Sequence, residues 1–297
     1  MTLTKTQENN LTLAWVLLII LAFIWGSSFI LIKKGVSVYS ASQVGSLRIF
    51  SAALFLLPVV FFHVRKVPKD KIPVMFVSGL LGNLLPSFLF AAAGTKLNSS
   101  VSGILNALTP LFTLIVGAMF FRQSIAKDKL IGLLVGLAGC VFLIVINAEG
   151  KLDFTNYYAI LPVIATFCYG INANLVKRYL NNIPSLQITS VALCSVGILA
   201  GIYFFSTDID FDLVQTHSGL LAMGCILLLG LMGTAVATVL SNKVIQIAGP
   251  IFTTSVTYLI PVVALGWGLL DGEKLIWVQY ISMIAIIAGV YIVNRRR

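Results

Sequence analysis

The sequence predicts an all-α polytopic membrane protein, with ten transmembrane helices forming two inverted five-helix repeats around a central cavity. Three observations carry that prediction. The first is composition: 59% of the 297 residues are hydrophobic, only 10% are charged, and the mean hydropathy is +1.01. A soluble globular chain carries roughly a quarter charged residues, so this one cannot cover a water-facing surface in the usual way. The second is the alternation of short polar breaks with apolar runs of about 20 residues, the length a helix needs to cross hydrocarbon. The third is an internal repeat with an odd number of spans in each copy.

In chain order the apolar runs place helices at 12–32, 41–62, 72–94, 98–120, 129–147, 157–176, 185–205, 218–242, 250–270 and 276–294. The first run, Leu11 to Ile32, is too long for a signal-peptide core and lacks a small-x-small cleavage site before Lys33, so it reads as a retained span. Residues 1–10 then form a cytoplasmic tail, 11–147 the first repeat, 148–156 an extracytoplasmic linker, 157–294 the second repeat and 295–297 a basic cytoplasmic end. With the N-terminus inside, fourteen lysines and arginines fall in cytoplasmic segments, among them Arg65, Lys66, Lys177 and Arg178. Only five fall outside: Lys33, Lys34, Lys96, Lys151 and Lys274. The positive-inside rule therefore puts both termini in the cytoplasm. The net charge of +10 is topological on this reading and gives no sign of nucleic acid as a partner. Cys140, Cys168, Cys194 and Cys225 stand singly in apolar segments, as small packing residues do, and no metal-ligand spacing or cofactor motif is present.

Shifting the chain by 144 residues lays "FIWGSSFILIKK" (Phe23 to Lys34) over "FCYGINANLVKR" (Phe167 to Arg178). A shift of 151 lays "GLLG" (Gly79 to Gly82) over "GLMG" (Gly230 to Gly233), and carries Pro110 onto Pro261 and Gly117 onto Gly268. Five spans per copy make the second copy enter the membrane with opposite polarity. Two such halves can exchange conformations around one midplane site, which favours a carrier.

"FIWGSSFILIKKG", "LRIFSAALFLLP", "ILNALTPLFTLIVGAMFF" and "IGLLVGLAGCVFLIV", in this order and spacing, resemble the EamA-like members of the drug/metabolite transporter superfamily. The resemblance extends over nearly the whole chain as two tandem five-helix units. It implies a ten-helix fold of inverted repeats with a central cavity, moving small metabolites such as amino acids, often outward. The fourth helix of the first unit departs from the pattern, ending in Arg122-Gln123 where the family often has a glutamate; the second unit keeps Glu273.

Polar residues inside spans must find a partner or face water, because lipid satisfies neither donors nor acceptors. Trp25 and Ser28 share a helix face and map onto Tyr169 and Asn172; Asn83 maps onto Thr234, and Asn106 onto Thr257, with Tyr258 beside it. These are the substrate-binding candidates, their aromatic rings and amides suiting an uncharged or zwitterionic organic ligand. Interhelical packing is the equally ordinary alternative for each, at roughly 0.6–2 kcal/mol per bond. Arg48 is the one charge placed well inside a span; it either snorkels to the interface or binds a substrate carboxylate. Pro86, Pro110 and Pro261 are hinge candidates, or inherited kinks that only shape the bundle. Lys33-Lys34 and Lys177-Arg178 read as span-end anchors.

No Asp or Glu falls in the middle of a span, which argues against a buried-carboxylate proton switch. No Walker A sequence, G-x-S-G serine site, paired intramembrane aspartates or H-E-x-x-H occurs, so neither ATP-driven pumping nor intramembrane catalysis is expected. The expected function is secondary transport of a small organic metabolite, a neutral or aromatic amino acid or a related compound, by a non-enzyme of the bacterial inner membrane. A passive channel and a non-transporting scaffold or receptor are the alternatives. The expected partners are substrate and membrane lipid, and the expected unit is a monomer.

Overall fold

The computed structural model describes residues 5–63, 66–121, 127–145, 157–274 and 276–294, and all regular structure among them is helical. The chain runs α1 (Lys5–Val36), α2 (Ala41–His63), α3 (Ile72–Gly79), a π-helical stretch Leu80–Leu84, α4 (Leu85–Gly94), α5 (Ser99–Asn106), α6 (Thr109–Phe121) and α7 (Lys127–Val145). It continues as α8 (Ile160–Tyr179), α9 (Ser185–Phe205), the short α10 (Phe211–Gln215), α11 (His217–Leu228), a second π-helical stretch Leu229–Val236, α12 (Ala237–Ala248) and α13 (Pro250–Thr254). A 3₁₀ turn over Ser255–Tyr258 leads to α14 (Ile260–Leu270), and α15 (Trp277–Asn294) follows. Eight segments among the described residues are long and apolar enough to cross a membrane, the longest being His217–Ala248 with 32 residues. Helices α7 and α15 pack along one another.

Helix α1 starts at Lys5, inside the tail expected over residues 1–10, because nothing in Thr6 to Asn10 breaks a helix. The expected linker 148–156, the terminal residues 295–297 and the Arg122-Gln123 departure lie outside the described residues.

Burial is inverted relative to a soluble protein. Leu270 and Phe62 are 81% and 77% exposed, whereas Ser100, Thr166, Thr189 and Ser190 are fully buried. Lipid is as apolar as leucine, so it accepts the large side chains and leaves small hydroxyls to mediate helix contact. Many of those hydroxyls bond back to their own helix, as Thr189 does to Ser185 O at 2.9 Å and Thr113 to Thr109 O at 2.8 Å.

Four apolar runs are interrupted, three of them beside a proline and the fourth around Gly230 and Gly233. Pro86 stands in the first turn of α4, directly after the first π-helical stretch. Pro261 stands in the first turn of α14, directly after the 3₁₀ turn. Pro110 is the second residue of α6, and the chain leaves helical geometry at Ala107 and Leu108 before it. A ring without an N–H is tolerated at these helix starts because no intrahelical bond is lost.

Helix α1 packs on α14 through Gly26: a Cβ there would sit 2.5 Å from Val263 Cβ and 3.2 Å from Ile260 O. Gly26→Ala is expected to force the two helices apart, costing about 1–3 kcal/mol and lowering the melting temperature of the purified protein. A variant melting with the wild type would show that the contact yields freely.

Candidate functional site

A cavity of about 100 Å³ lies between the two halves of the chain. Helix α1 supplies Trp25, Ser28, Phe29 and Ile32, and α2 supplies Arg48. Asn83 arrives on the first π-helical stretch, Asn106 on the last residue of α5, and Tyr169 and Asn172 on α8. Thr257 comes from the 3₁₀ turn. Eight of the ten residues singled out in the sequence therefore line one space. Thr234 stands one layer behind, accepting from Arg48 Nε at 2.7 Å and donating to Leu229 O at 3.2 Å, a bond five residues back that belongs to the π-helical turn. Tyr258 points the other way, packing on the apolar cluster around Leu105 and Leu108.

The interruptions position these groups. Ending α5 at Asn106 and restarting at Thr109 brings the Asn106 carboxamide to the cavity, where Oδ1 is buried without a partner among the described residues. Asn83 Oδ1 accepts from Thr238 at 3.0 Å, and Asn172 Oδ1 from Ser78 at 2.7 Å. Trp25 Nε1 donates to Gly233 O at 3.1 Å, tying α1 to the second π-helical stretch. Phe90 stacks on Tyr169 with centroids 6.2 Å apart and meets the edge of Phe29 at 5.5 Å, giving the cavity one aromatic wall. Arg48, 9% exposed, is the one formal charge among the described lining residues.

Sequence reading missed the residues that extend the cavity along α12 and α13: Thr238, Ser241, Asn242, Thr253 and Thr254. The signal was present, since Thr234, Thr238, Ser241 and Ile245 recur at helical spacing in an apolar run.

A second cluster lies one residue past Ile32. Lys33 Nζ bonds Asp271 Oδ2 at 2.8 Å and Glu273 Oε1 at 2.9 Å, and Lys34 pairs with Asp271. The Glu273 carboxylate also accepts from the N–H and hydroxyl of Ser99 at 2.8 and 2.7 Å, and from those of Ser100 at 3.1 and 2.7 Å. It caps α5, whose first N–H groups lack intrahelical partners and whose dipole favours an anion there. Lys33 and Lys34 are thus ion-paired within the protein, a role beyond the span-end anchoring expected of them. Burial by itself would raise the Glu273 pKa, but bonds from Lys33, Ser100 and Ser99 outweigh it and hold the carboxyl at about 2. Asp271 is lowered as well, chiefly by its bonds from Lys33 and Lys34.

Comparison with known proteins agrees with this architecture. The EamA-like transporter family matches residues 12–145 and 156–295. The "Uncharacterized inner membrane transporter YedA" of Escherichia coli (strain K12) is 26% identical over 281 residues, spanning 92% of this chain and 88% of that protein. The "Probable amino-acid metabolite efflux pump" of the same organism is 26% identical over 286 residues, spanning 93% of each. One solved crystal structure shares the fold with a TM-score of 0.66 and 16% identity, over 95% of this chain and 96% of that one. The family match runs through both halves of the chain, which belongs to the EamA-like transporter family and is an integral membrane protein.

Proposed function

We propose that this protein is a secondary transporter exporting a small organic metabolite, of the neutral or aromatic amino acid class or related to it, by alternating access between inverted repeats. The observation that carries the reading is the cavity, which draws on both halves of the chain at repeat-related positions: Trp25 with Tyr169, Ser28 with Asn172, Asn106 with Thr257. On this reading residues 11–147 and 157–294 are the two repeats, with ten membrane helices, α7 and α15 being the fifth of each, and 148–156 the linker between them.

Several features support the repeat. Under the shift of 151, the π-helical stretch Leu80–Leu84 falls within Leu229–Val236, and Asn106, before the break in the fourth span, falls on Thr257 in the 3₁₀ turn. Helix contacts exchange likewise: α1 packs on α14 and α12, and α8 on α6 and α4, while α2 packs on α9 and α7 on α15. Pro86, Pro110 and Pro261 stand where the helices are already interrupted, which suits a hinge. The Lys33–Asp271–Glu273 cluster is the outer gate on this reading, with the termini cytoplasmic. Its image in the first repeat would need acids at positions occupied by Phe120 and Arg122, so the repeat does not supply the same acids there. An ion-paired closure at one end favours a carrier over a permanently open channel. The amino-acid assignment draws on the name of the E. coli efflux pump relative.

Counterflow in proteoliposomes tests the proposal. Saturable, trans-stimulated uptake of an amino acid or related metabolite is expected, and flux without saturation or exchange would mean a channel. Orientation is tested by Ser241→Cys in a cysteine-free background, expected to react with an impermeant maleimide from the cytoplasmic face. Reaction only from the outer face would reverse the assignment.

A further inference from the structure

Arg48 is 9% exposed, lines the cavity, and is held there by one bond, from Nε to Thr234 Oγ1 at 2.7 Å. A guanidinium carries five N–H donors in a planar fork, and among the described residues the other four have no acceptor. None of the ion pairs among the described residues involves it, and no Asp or Glu stands among the lining residues described. An intramembrane cation in a low dielectric is costly unless an anion meets it. Asn106 lines the same cavity, and its Oδ1 acceptor is buried without a partner among the described residues. The remaining wall is apolar and aromatic: Trp25, Phe29, Phe90 and Tyr169. A guanidinium with spare donors and a carboxamide with an unpartnered oxygen thus belong to residues lining a space whose described fixed charge is positive.

We infer that the cavity binds its substrate as a monoanion: a carboxylate taken by Arg48, a neutral hydroxyl or amide N–H donating to Asn106, and an aromatic or apolar body against Trp25 and Tyr169. This rests on the cavity being the transport site and narrows its ligand to hydroxy acids and N-acyl amino acids in preference to free zwitterions. The reason is charge balance. A carboxylate neutralises the guanidinium, with two parallel N–H···O bonds available from the fork. An α-ammonium would add a second positive charge where only neutral oxygens could receive it, leaving the occupied site unbalanced.

Four compounds of one shape separate the terms: 3-phenyllactate (monoanion with a hydroxyl), phenylalanine (zwitterion), 3-phenyllactamide (neutral) and 3-phenylpropanoate (monoanion without the hydroxyl). Binding is measured by calorimetry on the full chain in nanodiscs. 3-Phenyllactate is expected to bind at least tenfold more tightly than phenylalanine and the amide, and severalfold more tightly than 3-phenylpropanoate. Arg48→Gln is expected to abolish the preference for acid over amide. Arg48→Lys, which keeps the charge and loses the fork, is expected to retain the preference with about tenfold weaker binding. Asn106→Ala is expected to remove only the advantage of 3-phenyllactate over 3-phenylpropanoate. Equal or tighter binding of phenylalanine, acid binding unmoved by Arg48→Gln in a variant that melts like the wild type, or binding of none of the four overturns the inference. The transport reading is judged separately: saturable counterflow of any solute that Trp25→Ala weakens keeps it standing when the monoanion fails.

Discussion

Replacing Glu273 with alanine is expected to open the Lys33 end of the molecule. The carboxylate gathers five donors from two segments: Lys33 on α1, and the N–H and hydroxyl groups of Ser99 and Ser100 at the start of α5. Its side chain is 2% exposed, so the serine groups cannot turn to water without the segments parting. Hydrogen bonds to a charged, buried acceptor are worth about 1.5–3 kcal/mol each, but neighbouring losses overlap, so about 2–3 kcal/mol is a fair total for the closed arrangement. That corresponds to a shift of about 30- to 150-fold toward the open arrangement. A cysteine at Ser28 is expected to react with an external maleimide at a correspondingly higher rate in the Glu273→Ala background. Unchanged labelling would remove the cluster from the gating scheme.

The pH dependence follows from sign. Glu273 has its carboxyl at about 2 in the folded protein against an ordinary 4.5. A depressed carboxyl stabilises the fold fully above its unfolded value and loses that contribution as pH falls through the folded one. The cluster should therefore hold unchanged through neutral pH down to about 4.5 and fail progressively from there toward about 2. Thermal melts of the wild type should show this acid loss, and Glu273→Gln should blunt it. An imposed proton gradient near neutral pH would leave this gate shut, in keeping with spans that carry no central carboxylate.

The second large effect is at Trp25. Its indole lines the cavity while its N–H fixes α1 to Gly233 of the facing repeat. Trp25→Ala deletes a wall and a strap together, and truncating a buried aromatic anchor typically loses about 2 kcal/mol or more of binding, at least about 30-fold in affinity. Trp25→Phe keeps the wall and loses the strap, so its loss should stay within about fivefold. If Trp25→Ala and Asn106→Ala both leave the affinity for a transported ligand unchanged, the cavity is not the substrate site.

Helix α5 connects the two predictions. All eight of its residues are buried, Ser99 and Ser100 meet Glu273, and Asn106 meets the cavity. Eight residues span about 12 Å, so this short rod joins the Glu273 cluster, the proposed gate, to the cavity. Gly268 lets the parts meet: a Cβ there would collide with Ser100 Oγ and Glu273 Oε2.

Much of this was legible in the sequence. Span positions follow from the cost of burying unpaired backbone in lipid, which makes apolar run length diagnostic. The pairings Trp25 with Tyr169 and Asn106 with Thr257 were readable because polar groups recur at matching positions of the two halves, and all four residues line the cavity. Thr234 and Tyr258 show where reading stopped. A π-helical turn rotates Thr234 behind Arg48, and the 3₁₀ turn points Tyr258 into the α5–α6 cluster. Neither departure from 3.6 residues per turn is written in hydropathy.

The sequence by itself determined that the chain lives in a membrane, that it carries runs apolar and long enough to cross it, and which family it resembles, because those depend on composition and order along the chain. Only the tertiary structure decided that Lys33 pairs with Asp271 and Glu273 across about 240 residues, and that Arg48 stands in the cavity with no acid among the described lining residues. The physical reason is that a charge reveals its role through its partner, and partners are chosen by helix packing, which local sequence does not encode.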